Sequence, residues 1–96
     1  MSARGGIVIS GASTGIGRAC ALALDRAGFQ VFAGVRSLQQ GEALRADASE
    51  RLSHLLLDVT RPDQIARAAD RVAQRLGERP LAGLLNDAGV TVNGPL

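Results

Sequence analysis

The chain has no Trp, no Tyr and no Lys, and only two Phe, one Cys, one His and one Met. Each scarcity excludes something. Without Tyr or Lys, no such residue of this chain can serve as an acid, a base or a Schiff-base amine. A Walker A phosphate loop requires Lys and is ruled out. A single Cys forms no internal disulfide, and one Cys with one His is too few for a zinc cage. No apolar run approaches the ~20 residues needed to span a bilayer. The stretch from Met1 to Ser10 is too short for a signal peptide, so the cytoplasm is the expected location. All 11 basic residues are Arg, they are scattered, and acids lie between most of them. No aromatic residues interleave them for base stacking, so this charge reads as solvated surface and not as a nucleic-acid or membrane contact.

What is present is enough to fold. Of the 96 residues, 46% are hydrophobic and 21% charged, which places the chain among globular sequences and not disordered ones. Ile7 to Ser10 is a short apolar run of the kind buried in parallel sheets. The period then changes. Ile16, Ala19, Cys20, Ala23, Leu24 and Ala27 predict one face of a helix, with Gly28 as its stop. Val31 to Val35 reads as a second strand. The stretch from Arg36 to Ser53 predicts a loop and a short helix around Glu42 to Asp47. Leu55 to Leu57 reads as a third strand, closed by Asp58. Thr60 is the expected cap of the next helix, with Pro62 and Asp63 in its first turn. Ile65, Ala68, Ala69, Val72, Ala73 and Leu76 form that helix's apolar face, and Gly77 ends it. Leu81 to Leu85 reads as a fourth strand that reaches Asn86, and the remainder reads as loop. Alternating strands and helices imply an α/β fold with a parallel sheet and right-handed crossovers.

Between the first strand and the first helix lie Gly11, Gly15 and Gly17, spaced G-x-x-x-G-x-G. A turn out of a sheet that lets a pyrophosphate approach the backbone needs glycines. Free N–H groups at the helix start, the Ile16 amide among them, then face the phosphates, and Ser13 and Thr14 add hydroxyl donors. The spacing alone is weak. Its place inside a β-α-β unit strengthens it. The rival reading is a Gly-rich turn without a ligand.

At this point the sequence resembles the short-chain dehydrogenase/reductase family. Its landmarks appear in order: the Gly11/Gly15/Gly17 loop, Arg36 after the second strand, Asp58-Val59 after the third, and Asn86-Asp87-Ala88-Gly89 after the fourth. The family commonly has Asn where Asp87 stands. The closing Gly94-Pro95-Leu96 is similar to the hydroxysteroid/retinol dehydrogenase branch. The resemblance implies a partial Rossmann domain over residues 1–96, with a four-stranded sheet in the order 3-2-1-4 and helices on both faces. It implies an adenosine site in which Asp58 accepts from the adenine amino group and the Val59 amide touches the ring. Asn86, Ala88 and Gly89 would lie against the ribose.

Arg36 bears on the cofactor. It stands 19 residues past Gly17, where an acid would mark NAD and an Arg accommodates a 2′-phosphate. Val35 occupies the acidic position, and Ser37 offers a second donor. NADP(H) is therefore expected ahead of NAD(H), with Arg36 as one more solvated arginine the alternative. Asp58 can instead be a turn-former, and Asn86 can merely tie loops together. Cys20 and His54 are assigned to packing and a strand edge.

The family's catalytic Ser, Tyr-x-x-x-Lys pair and Asn lie downstream of this portion, so no residue here receives a catalytic role. The reading is the opening portion of an NADP-dependent oxidoreductase that supplies the adenosine–pyrophosphate half-site and is inactive alone. The alternative is a non-catalytic dinucleotide-binding module or a remnant. Coding sequence past Leu96 discriminates the two, since a downstream Tyr-x-x-x-Lys makes this part of an enzyme. The fourth strand, exposed as an edge, is expected to promote self-association.

Overall fold

The computed structural model describes residues 5–12, 15–58 and 60–86, the last of these for its backbone. In chain order the elements are β1 (Gly6–Ser10), α1 (Gly15–Arg26), β2 (Gln30–Val35), α2 (Leu38–Ala46), β3 (Leu52–Leu56), α3 (Pro62–Leu76) and β4 (Leu81–Asn86). The four strands form one parallel sheet in the order β3-β2-β1-β4, as expected. The chain moves outward from β1 to β3 and then crosses back over the sheet to β4. Right-handed crossovers therefore put α1 and α2 on one face and α3 on the other.

Strand alternation divides the core accordingly. Ile7, Ile9, Val31, Ala33, Val35 and Leu52 pack with Ala21 of α1 and Leu44 of α2. Phe32 and Leu55 point the other way and pack with Ala68, Val72 and Leu76 of α3. Phe32 is fully buried and is the largest such side chain. α3 covers only part of its face. An apolar groove of about 550 Å³ runs between Ile65, Ala69 and Ala73 of α3 and Val8, Leu81 and Leu84 of the sheet.

Several local expectations need correction. α2 begins at Leu38, not near Glu42, because Ser37 caps it: its side chain accepts from the Gln40 amide at 3.2 Å. β3 runs Leu52–Leu56 and not Leu55 to Leu57, since its pairing with β2 begins at Val31↔Leu52. Thr60 does not cap α3. The cap position is Arg61, which makes no side-chain capping bond, and Thr60 is held instead by the Asp58 carboxylate. The buried line of α1 is Gly17, Ala21 and Asp25, rotated from the expected face. Ile16 is 74% exposed. Small residues let α1 lie close to the sheet, so the periodicity of its alanines carries little directional information. On α3, Ala68, Val72 and Leu76 are buried, but Ile65 is 44% exposed and faces the groove.

Asp25 is 3% exposed in the last turn of α1. A carboxylate there opposes the helix dipole. Its contacts offset this: it accepts from the Ser49 amide at 2.8 Å and the Ser49 hydroxyl at 2.6 Å. Arg51 Nη2 donates to the Asp25 backbone carbonyl at 2.7 Å. A second link, the ion pair of Arg18 with Asp47, joins α1 to the end of α2. Together they clasp α1 to the turn leading into β3.

Candidate functional site

Parallel strands all end on one edge of the sheet, and the segments that leave that edge form the site. Register places Ser10 beside Asn86 and Val35 beside Leu56. Gly11, Arg36, Asp58 and Asn86 thus leave or end the four strands on the same side. β1 is the point where the chain's direction across the sheet reverses, and ligands of open α/β sheets bind in the crevice beyond such a point.

The glycine loop is built from β1 outward. Ala12 is fully buried and its amide donates to the Gly34 carbonyl at 2.9 Å, which pins the loop's first half onto β2. Gly15 begins α1 with φ +62°, and a Cβ there would meet nothing within 4 Å. That backbone favours glycine, and the space over it is open. Gly17 is buried against the sheet. The first turn of α1 contains no acid, and the amides of Gly15, Ile16 and Gly17 lie where a helix leaves N–H groups without intrahelical acceptors. Ser13 and Thr14 lie outside the described residues.

Arg36 follows buried Val35 and is exposed. It makes no hydrogen bond or ion pair with any described residue. Ser37 is half-buried and accepts at α2's cap, which leaves its hydroxyl hydrogen to donate elsewhere. The spacing Ser37-x-x-Gln40 is a capping-box signature that could have located this helix start from the sequence.

Asp58 Oδ1 accepts from the Thr60 hydroxyl at 2.7 Å and the Thr60 amide at 3.0 Å. The turn-forming role is therefore real. Those two bonds first, and then the charges of Arg36 and Arg61, hold the carboxyl below its ordinary value against an upward pull from desolvation. Gln64, which the sequence did not single out, accepts from the Asp58 amide through Oε1 at 2.8 Å and anchors this turn to α3. Asn86 ends β4 in register with Ser10. Val59, Asp87, Ala88 and Gly89 lie outside the described residues. Cys20 is half-buried against the core, and His54 packs on α2. Among the described residues no cluster of His, Cys, Asp or Glu could hold a metal, and no helix is long and apolar enough to cross a membrane.

The arrangement gathers an open glycine turn, an acid-free helix start and an exposed guanidinium at one edge, a surface suited to anionic groups. Comparison with known proteins gives the family. The chain is 44% identical over 84 residues to bovine dehydrogenase/reductase SDR family member 9, covering 88% of this chain and 26% of the relative. It is 46% identical over 90 residues to mouse retinol dehydrogenase 5, covering 93% and 28%. The chain thus spans about a quarter of the length of these relatives. Among solved structures it resembles the apo glucose dehydrogenase of Caenorhabditis elegans, with TM-score 0.81, 28% identity, and 93% and 39% coverage. The Brucella melitensis 3-ketoacyl-(acyl-carrier-protein) reductase, complexed with NADH, shares the fold with TM-score 0.77, 17% identity, and 85% and 33% coverage. The family model for short chain dehydrogenase matches residues 6–96, and the chain belongs to that family of oxidoreductases, which use nicotinamide dinucleotides.

Proposed function

We propose that this chain supplies the adenosine–pyrophosphate half-site of an NADP(H)-dependent short-chain dehydrogenase/reductase. The whole enzyme would move hydride between NADP(H) and a carbonyl or alcohol carbon. The observation that carries the cofactor reading is Arg36. It is exposed at the carboxyl end of β2, follows an apolar Val35, and lies beyond ion-pair distance of every described carboxylate, with Asp58 acting on it through space. A guanidinium in that state can fork onto a 2′-phosphate. The open space over Gly15 fits the pyrophosphate, since only a hydrogen stands where a Cβ would intrude. The first-turn amides of α1 would receive its oxygens. Asp58 has a second carboxylate oxygen, Oδ2, with no described partner, which can accept from the adenine amino group while Oδ1 holds the turn. The chemistry a bound nicotinamide supplies is hydride transfer. The residues of this chain bind and orient the far end of the molecule.

The test is calorimetric titration of the 96-residue chain with NADPH and NADH. A charge-assisted fork contributes about 1.5–3 kcal/mol, so NADPH should bind roughly ten- to a hundred-fold more tightly. Arg36→Asp should reverse the order. Equal affinities for the two dinucleotides would refute the NADP assignment.

A further inference from the structure

A second cavity lies at the outer margin of β3, next to the turn that Gln64 holds at Asp58. It measures about 290 Å³ and is lined on one side by Leu38, His54 and Leu56, and on the other by Gln64, Arg67 and Arg71. The first three belong to the α2 side of the sheet and the last three to α3. A cavity with both kinds of lining straddles the outer margin of β3.

Among the described residues β3 is an edge strand, paired to β2 alone. In a parallel pair, alternate residues of a strand turn their N–H and C=O groups to the same neighbour. Arg51 accepts from Val31 and Leu57 donates to Val35, so the odd-numbered residues face β2. The N–H and C=O groups of His54 and Leu56 therefore face outward, and they have no partner among the described residues. Edge strands are ordinarily guarded by charge, Pro or a bulge. The β3 sequence, Leu-Ser-His-Leu-Leu, contains no Pro and no Asp, Glu, Lys or Arg.

The two flanks differ in chemistry. On the α2 side, Leu38 and Leu56 are 57% and 42% exposed. On the α3 side, Arg67 and Arg71 are exposed, and no described carboxylate lies within ion-pair distance of either. An extended peptide sends successive side chains to opposite faces. We propose that the free edge of β3 receives an extended peptide in which apolar and acidic residues alternate. It adds as a fifth strand, with apolar side chains on Leu38 and Leu56 and acids on Arg67 and Arg71. The complementary charge of the two arginines selects this partner over a second copy of the chain, whose β3 carries no acid.

The test uses the 96-residue chain and a capped eight-residue peptide that alternates Val and Glu. Controls are the same composition in block order and an alternating Val/Lys peptide. Amide hydrogen exchange at His54 and Leu56 should slow at least about tenfold at saturation with the alternating acidic peptide alone. The double variant Arg67→Glu, Arg71→Glu, at exposed positions, should bind it about tenfold or more weakly while its melting curve stays near the parent's. Several results would overturn the proposal. These are binding of the block or Val/Lys peptide with equal affinity, unprotected His54 and Leu56 amides, and indifference to the arginine reversals. Concentration-dependent protection without peptide would assign the edge to a second copy.

Discussion

Gly15 offers a perturbation in which strain and ligand contact can be separated. Its φ is +62° and a Cβ would meet nothing within 4 Å, so Gly15→Ala introduces no internal collision. The cost is that of holding an L-residue in the left-handed region, about 1–2 kcal/mol. Reduced freedom of the unfolded chain returns about 0.4–1 kcal/mol of this. A net loss of about 1 kcal/mol lowers Tm by roughly 4–8 °C in a domain of this size. Gly77 provides the control. It follows α3, away from the strand ends that carry the site, with φ +59° and equally open surroundings. Its ψ of −118° lies outside the left-handed helical well, so Gly77→Ala should lower Tm by at least as much. The two variants part company in calorimetric titration with NADPH. Gly77→Ala should keep the parent affinity at 25 °C, where both remain folded. Gly15→Ala places a methyl in the space assigned to the pyrophosphate and should weaken binding at least about tenfold, a loss of about 1.4 kcal/mol. Equal NADPH affinity in the two variants would refute the assignment of this loop.

Two further outcomes are expected. Asp25→Ala removes the acceptor for both Ser49 bonds and should cost about 3 kcal/mol in urea denaturation, whereas Arg51→Met should cost about 1 kcal/mol; a loss below that for Asp25→Ala would show that the clasp does not hold α1. Asp58 has a folded pKa below its ordinary 3.8, so its contribution to stability is present above pH 3.8 and is lost as pH falls below it. Asp58→Asn should then be less stable than the parent at pH 6, and the gap should narrow as acid titration passes below pH 3.8; a gap that stays constant would contradict the linkage.

The sheet was legible because its strands are short apolar runs whose order follows from alternation with helices and from crossover handedness. The sheet edge that carries the candidate site was legible for a related reason. Gly11, Arg36, Asp58 and Asn86 each stand at the end of such a run, so finding the runs located the edge. Side-chain detail was less accessible. The buried line of α1 was misjudged because its apolar side is mostly alanine, and Gly17 and Ala21 bury as readily as any larger residue at that distance. Asp25 was missed because its partners, Ser49 and Arg51, lie more than 20 residues away, and only the fold brings them together. Thr60 was read as a cap from its position before Pro62. The helix instead starts one residue later, with Arg61 at the cap position, and Thr60 belongs to the preceding turn, where its amide and hydroxyl both donate to Asp58 Oδ1. Gly41 shows the same dependence on tertiary context. A Cβ there would come within 2.4 Å of the His54 ring, a constraint that no local pattern announces.

The two faces of the sheet also differ in how they should come apart. α1 and α2 share one continuous core with β1, β2 and β3, and the Asp25 clasp and the Arg18–Asp47 pair cross-link them. α3 rests on Phe32 and Leu55 through one line of three residues, and its other flank looks onto an open groove. Cooperative units follow contact, so this molecule has the makings of two. α3 can lift from the sheet while the opposite layer stays intact, and the opening would expose Phe32. Because Gln64 of α3 holds the Asp58 amide, that excursion would also release the Asp58 turn of the candidate site. A ligand bound at that turn would then favour the closed state, tying the grip of the site to the seating of a helix on the far side of the sheet from α1 and α2.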